Sequence, residues 1–142
     1  MSLLDSENGK RRLLGIEIPG IEHYNIGRDP AFRIRLRKLE GGLILSYALK
    51  PGNNVHELET RLGANYPVDA PLTRVVSRLE LSPHQFPGQV LCMWRQTSKR
   101  NTHKWDPSRF TAIFAVQATW RWLACYELWM SSGQWPIPDA GV

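Results

Sequence analysis

From Ser108 to Met130 the chain contains neither glycine nor proline. That stretch reads as one long helix. Phe110, Ile113, Phe114, Val116, Trp120, Leu123, Ala124 and Leu128 spread over more than one of its faces, so it is largely buried or bent around a sheet. Asp106 reads as its N-cap and Pro107 as its first helical residue. Gly133 stands where a C-cap belongs, and Pro136 and Pro138 prevent continuation.

The first half has a different period. Phe32, Ile34 and Leu36 alternate with Arg33, Arg35 and Arg37, which predicts a strand with one apolar and one basic face. Glu40-Gly41-Gly42 reads as a hairpin turn and Leu43–Leu49 as the partner strand, closed by Pro51-Gly52-Asn53-Asn54. Val55–Leu62 is a third strand, with His56, Leu58, Thr60 and Leu62 on one face, and Thr73–Leu81 is a fourth. Gly15–Pro30 reads as a connector; residues 1–14 offer a short helix around Leu3, Leu4, Leu13 and Leu14, against which Gly9 counts. The expected fold is α+β: a four-stranded antiparallel meander with the long C-terminal helix packed on it.

At 142 residues and 16.3 kDa, residues 1–142 are expected to form a single domain. Two cysteines, Cys92 and Cys125, exclude a disulfide scaffold, and the lack of a Cys-x-x-Cys pair excludes a zinc ribbon. The net charge of +5 suggests acidic partners. No window approaches the about 18 apolar residues that a membrane span needs, and no leader pattern follows Lys10-Arg11-Arg12. The expectation is a cytoplasmic protein.

Chemistry concentrates between Tyr66 and Trp105. The segment opens Tyr66-Pro67-Val68-Asp69-Ala70-Pro71 and reaches Ser82-Pro83-His84. Cys92 follows His84 by eight positions, just after Gly88-Gln89-Val90-Leu91, and Trp105-Asp106-Pro107 leads into the helix. In this order the pieces resemble the ubiquitin-conjugating enzyme family. That family has a Tyr-Pro-x-x-x-Pro segment, a His-Pro-Asn tripeptide eight residues before its catalytic cysteine, and a Trp-x-Pro at the start of a helix. The tryptophan-rich helix, ending Gly133-Gln134-Trp135-Pro136, is similar to bacterial members found in anti-phage operons, including the short type II form of cyclic-oligonucleotide-based signalling (CBASS).

The resemblance implies a ubiquitin-conjugating-enzyme-like fold and a transferase. Cys92 would carry the C-terminus of a partner protein as a thioester and pass it to an amine. The implied partner is a cyclic-oligonucleotide-producing nucleotidyltransferase; a ubiquitin-like protein is the alternative. Activation of the acyl group would come from a separate activating enzyme. No cofactor and no metal are implied. His84 stands where the family has asparagine; an imidazole N–H can donate the same hydrogen bond to an oxyanion, and imidazole also permits acid–base work near neutrality. Ser82 replaces the family's first histidine, with Pro83 between, and Trp94 stands where other members often have an acidic residue. Trp105 and His103 are supporting residues. The basic loop with Lys99, Arg100 and Lys104 reads first as a solvated charge run, and alternatively as a source of positive charge that would favour a Cys92 thiolate.

Other readings share these residues. A cysteine hydrolase would pair Cys92 with His84 or His103 and use water as acceptor. A metal site built on His23, His56, His84, His103 and the cysteines matches no ligand spacing. Arg33, Arg35 and Arg37 suggest a basic binding module, but the tryptophans fall mainly on the apolar helix, which favours core packing over base stacking, so nucleic acid is not the expected partner. Cys125, within Trp122-Leu123-Ala124-Cys125-Tyr126, reads as a core residue.

Overall fold

A computed structural model describes residues 3–94 and 104–136. The order is α1 (Glu7–Arg12), a π-helical turn (Leu13–Glu17), α2 (Ile18–Asn25), a 3-10 turn (Pro30–Phe32), β1 (Arg35–Leu39), β2 (Gly42–Leu49), β3 (His56–Leu62), β4 (Leu72–Val75), β5 (Gln85–Phe86), β6 (Val90–Leu91) and α3 (Ala112–Ser132). The architecture is α+β, as the two periods require. The antiparallel sheet has six strands rather than four, ordered β1-β2-β3-β4-β6-β5. After β4 the chain goes out to the sheet edge as β5 and returns inward as β6. Two residues are too few for a period of two to register, so neither short strand was legible beside Pro83, Pro87 and Gly88.

One face of the sheet meets α3. Leu45, Leu58, Leu62 and Val75 of the strands are buried with Val116 and Leu123 of the helix. The alternation expected for β3 is present: His56, Leu58, Thr60 and Leu62 are buried, and Glu57 and Arg61 are exposed. Inside, Thr60 Oγ1 lies 2.7 Å from the Tyr47 hydroxyl and 2.8 Å from Thr73 Oγ1, which satisfies three buried hydroxyls together. Desolvation pushes the Tyr47 phenol up to about 12. No helix among the described residues is long and apolar enough to cross a membrane.

Five expectations need correction. The Gly15–Pro30 connector is largely helical. Pro19 lies in the first turn of α2, and the turn before it widens to π geometry, with Ile18 N–H donating to Leu13 O. The wider turn relieves the clash between the proline ring and the carbonyl of the preceding turn.

Residues 7–12 are also helical despite Gly9. Ser6 Oγ accepts the Gly9 N–H at 3.0 Å as an N-cap, and Gly9 is buried against the Leu3 carbonyl, where a Cβ would collide. Helix propensity alone predicts that Gly9→Ala stabilises by about 1 kcal/mol. The collision reverses the sign, and a net loss of about 2 kcal/mol is expected. A lower urea midpoint at unchanged slope would bear this out; a raised midpoint would refute it.

β1 begins at Arg35, not Phe32. Asn25 holds Ile34 through both backbone groups, donating to Ile34 O at 3.0 Å and accepting Ile34 N–H at 2.8 Å, so the residue belongs to α2 rather than to the ladder. β4 ends at Val75, short of the expected Leu81. Beyond it the Gln89 side chain does the work of a neighbouring strand, donating to Val75 O and Ser77 O and accepting the Leu79 N–H.

The fifth correction is at the start of α3. Asp106 caps only a local turn, accepting Ser108 N–H at 3.0 Å and Ser108 Oγ–H at 2.7 Å. The cap of α3 is Thr111, whose hydroxyl accepts Phe114 N–H. Arg12 takes the carbonyls of Pro107 and Phe110, acceptors that an unbroken helix would use for its own amides.

Candidate active site

β5, β6 and the residues after them hold the motif. Gly88 and Gln89, both left-handed, turn the chain between the two strands. Leu91 and Met93 are buried, and Cys92 between them is half-exposed. Cys125 is buried on α3, and desolvation raises its thiol above the usual range. The two cysteines are therefore unequal: Cys92 is half-buried, and Cys125 is buried in the core.

His84 sits beside Cys92 through the backbone. The Cys92 N–H donates to His84 O at 3.0 Å. Trp122 of α3 donates its indole N–H to the same carbonyl, also at 3.0 Å. His84 is left-handed at φ 62°, a conformation that costs a residue with a Cβ roughly 1 kcal/mol. Two donors on its carbonyl hold that conformation in place. The eight-residue separation thus corresponds to a direct contact.

The other expected residues divide. Ser82 accepts from Gln85 Nε2 at 2.7 Å and donates to Pro83 O, while Gln85 also donates to Glu80 O. These bonds shape the loop that carries Pro83 and His84. Trp105 is buried and donates to Pro67 O at 2.7 Å, and Trp94 donates to Pro71 O at 3.1 Å. The two indoles hold both ends of the Tyr66–Pro71 segment and pack edge-to-face at 5.2 Å. The unusual tryptophan two residues after Cys92 is thus explained by packing against Trp105, Phe110 and Phe114. His103, Lys99 and Arg100 lie outside the described residues.

Histidines are dispersed. His56 is buried with Nε2 3.2 Å from Glu127 Oε1, and His23 is exposed on α2. Among the described residues no group of three or more His, Cys, Asp or Glu side chains could hold a metal ion. The basic face of β1 is partly neutralised: Glu59 lies 3.4 Å from Arg37 and 3.1 Å from Arg74, and Arg33 donates to Arg28 O.

A family model of the type II CBASS E2 proteins matches residues 25–141. The chain belongs to that family. No curated protein gives a match. A type II CBASS E2 is a conjugating-enzyme-like protein of a bacterial antiviral defence system, and the match spans β1 to α3 with Cys92 and His84 inside it. Two further features of this E2 were invisible in the sequence. Trp122 read as a core residue of the helix, and Trp135 as part of an end pattern. In the structure one is bonded to His84 and the other lies against its ring, with centroids 4.9 Å apart. Nothing in the spacing signals a contact across some fifty residues of chain.

Proposed function

We propose that this E2 carries the C-terminal acyl group of its operon's cyclic-oligonucleotide-producing nucleotidyltransferase as a thioester on Cys92 and passes it to an amine, within a single domain of ubiquitin-conjugating-enzyme-like fold. The observation that supports this most is the Cys92 N–H to His84 O bond, which sets a half-buried cysteine beside a histidine in a constrained backbone conformation. The Cys92 thiolate attacks the activated acyl carbon, a C–S bond forms and the activating group leaves. An amine nitrogen then attacks the same carbon. The C–N bond forms, the C–S bond breaks, Cys92 leaves as thiolate, and the amine proton passes to a base. The His84 imidazole donates to the oxygen that becomes negative between these steps. Activation of the acyl group comes from a separate enzyme.

The test is incubation with the neighbouring nucleotidyltransferase and activating enzyme, followed by non-reducing electrophoresis. An adduct is expected that thiol reductant removes, Cys92→Ala abolishes and Cys125→Ala preserves. Dependence on Cys125 instead would overturn the site. An adduct formed with a ubiquitin-like protein, and none with the nucleotidyltransferase, would overturn the partner.

A further inference from the structure

The end of α2 and the 3-10 turn after it form the rim of a cavity that the Cys92 motif does not use. Gly27, left-handed at φ 70°, turns the chain out of α2, and Arg28 N–H donates to Asn25 O at 3.1 Å. Asp29 Oδ1 accepts the Ala31 N–H at 2.8 Å and starts the turn that carries Phe32. Val116 and Trp120, one turn apart on α3, line the same space, as do Leu49, the last residue of β2, and Lys50 after it. The cavity measures about 440 Å³, within the range of small-ligand sites. Leu49 and Val116 are buried in its floor, Tyr24 and Phe32 are half-buried, and Trp120 is 48% exposed.

Aromatic rings and two cations meet here. The Arg28 guanidinium lies over the Tyr24 ring, 3.7 Å from its centroid, and its Nε donates to Tyr24 O at 2.9 Å. Ring and carbonyl thus fix the plane of the fork, and neither contact uses its two Nη groups as donors. Among the described residues no carboxylate lines the cavity and none pairs with Arg28 or Lys50; the neighbouring Asp29 is engaged by the Ala31 N–H. We propose that this cavity binds a nucleoside monophosphate, whose base lies against Phe32 and Trp120 and whose phosphate is held by Arg28 and Lys50. Charge decides the ligand class. A phosphate monoester has a second pKa of about 6, so near neutrality it carries close to two negative charges and matches both cations together, whereas a carboxylate matches one. A guanidinium fork also fits phosphate oxygens in pairs. Aromatic faces take the flat base, and a cavity of this volume admits one nucleotide rather than a strand. Neither Cys92 nor His84 lines it, so the proposal stands apart from the thioester reading.

The test is titration of the full chain with AMP, followed by proton–nitrogen NMR at the Trp120 indole N–H, a resonance assigned by its loss in Trp120→Leu. AMP is expected to shift that resonance and to saturate it in the submillimolar range. Adenosine, which lacks the phosphate, and ribose 5-phosphate, which lacks the base, are each expected to bind about tenfold more weakly. Arg28→Leu and Lys50→Gln each remove one charged contact and are each expected to weaken AMP about tenfold. Both side chains are exposed, so the urea midpoints of the two variants are expected to stay close to wild type. Adenosine that binds as tightly as AMP, no shift with AMP at millimolar concentration, or an AMP affinity unchanged in both Arg28→Leu and Lys50→Gln would overturn the proposal. A capped Glu-Phe-Glu tripeptide that binds at Trp120 more tightly than AMP would assign the cavity to an acidic peptide segment, and would overturn it too.

Discussion

Glu17→Ala is expected to destabilise the protein by roughly 3–5 kcal/mol, a large share of the stability of any small domain. Glu17 is 1% exposed, yet it stands in the π turn at the hub of three segments. Its carboxylate accepts from Arg12 Nε at 2.9 Å, from the Tyr66 hydroxyl, and from the Ala112 N–H at 2.9 Å. The last of these is the first amide of α3, so the carboxylate also meets the positive end of that helix. Alanine would leave the half-buried Arg12, the buried phenol and an orphan helix amide together. Glu17→Gln keeps the acceptor but not the charge, and is expected to fall between the wild type and alanine. Urea midpoints rank the three. A Glu17→Ala protein as stable as wild type would show that the burial of this charge brings nothing.

The same cluster sets an alkaline limit. Burial, then the neighbouring carboxylate, raise the Tyr66 phenol well above its ordinary value of 10.0. Above that value the unfolded chain loses a proton that the folded one keeps, so stability falls as pH rises. Tyr66→Phe is expected to make that slope shallower, with Tyr47, Tyr24 and Cys125 among the groups that supply what remains.

His84→Ala is expected to slow transfer from a loaded Cys92 to an amine by about a hundredfold, with loading preserved. Two effects must be separated, because alanine is poorly suited to the left-handed backbone of this residue. His84→Asn separates them. Asparagine tolerates that conformation and donates through its amide, so it is expected to recover much of the rate. Loss of loading in both variants would assign His84 an earlier or structural role. The readout uses a short synthetic peptide thioester as acyl donor and free lysine as acceptor: loading of Cys92 is read by mass, and transfer by the rate at which the loaded form is lost to lysine.

Features set by neighbours in sequence were legible. The hairpin at Gly41, the alternation of β3, and the stop at Gly133 all follow from local backbone chemistry. The Cys92–His84 spacing was legible too, since family motifs carry it. What escaped depends on side chains that satisfy distant backbone. Asp106-Pro107 has the local form of a helix start, but Arg12, far away in sequence, takes the carbonyls of Pro107 and Phe110 and delays α3 to Ala112. Gln89 ends β4 in the same way, and Asn25 delays β1. Gly9 and Pro19 were read by propensity, whereas a close approach and a widened turn made both compatible with helix. The candidate site divides along the same line: the spacing of His84 and Cys92 was readable, and the contacts of Trp122 and Trp135 with His84 were not.

The placement of the indoles gives this protein a built-in optical probe. Trp122 and Trp135 contact His84, and Trp94 and Trp105 grip the Pro67 and Pro71 carbonyls. Indole emission responds to what surrounds the ring, so a change at His84 or at the Tyr66–Pro71 segment should be written into the intrinsic emission of the unlabelled protein. Trp120, exposed on α3, and Trp129 lie apart from these contacts and contribute a background that substituting both removes.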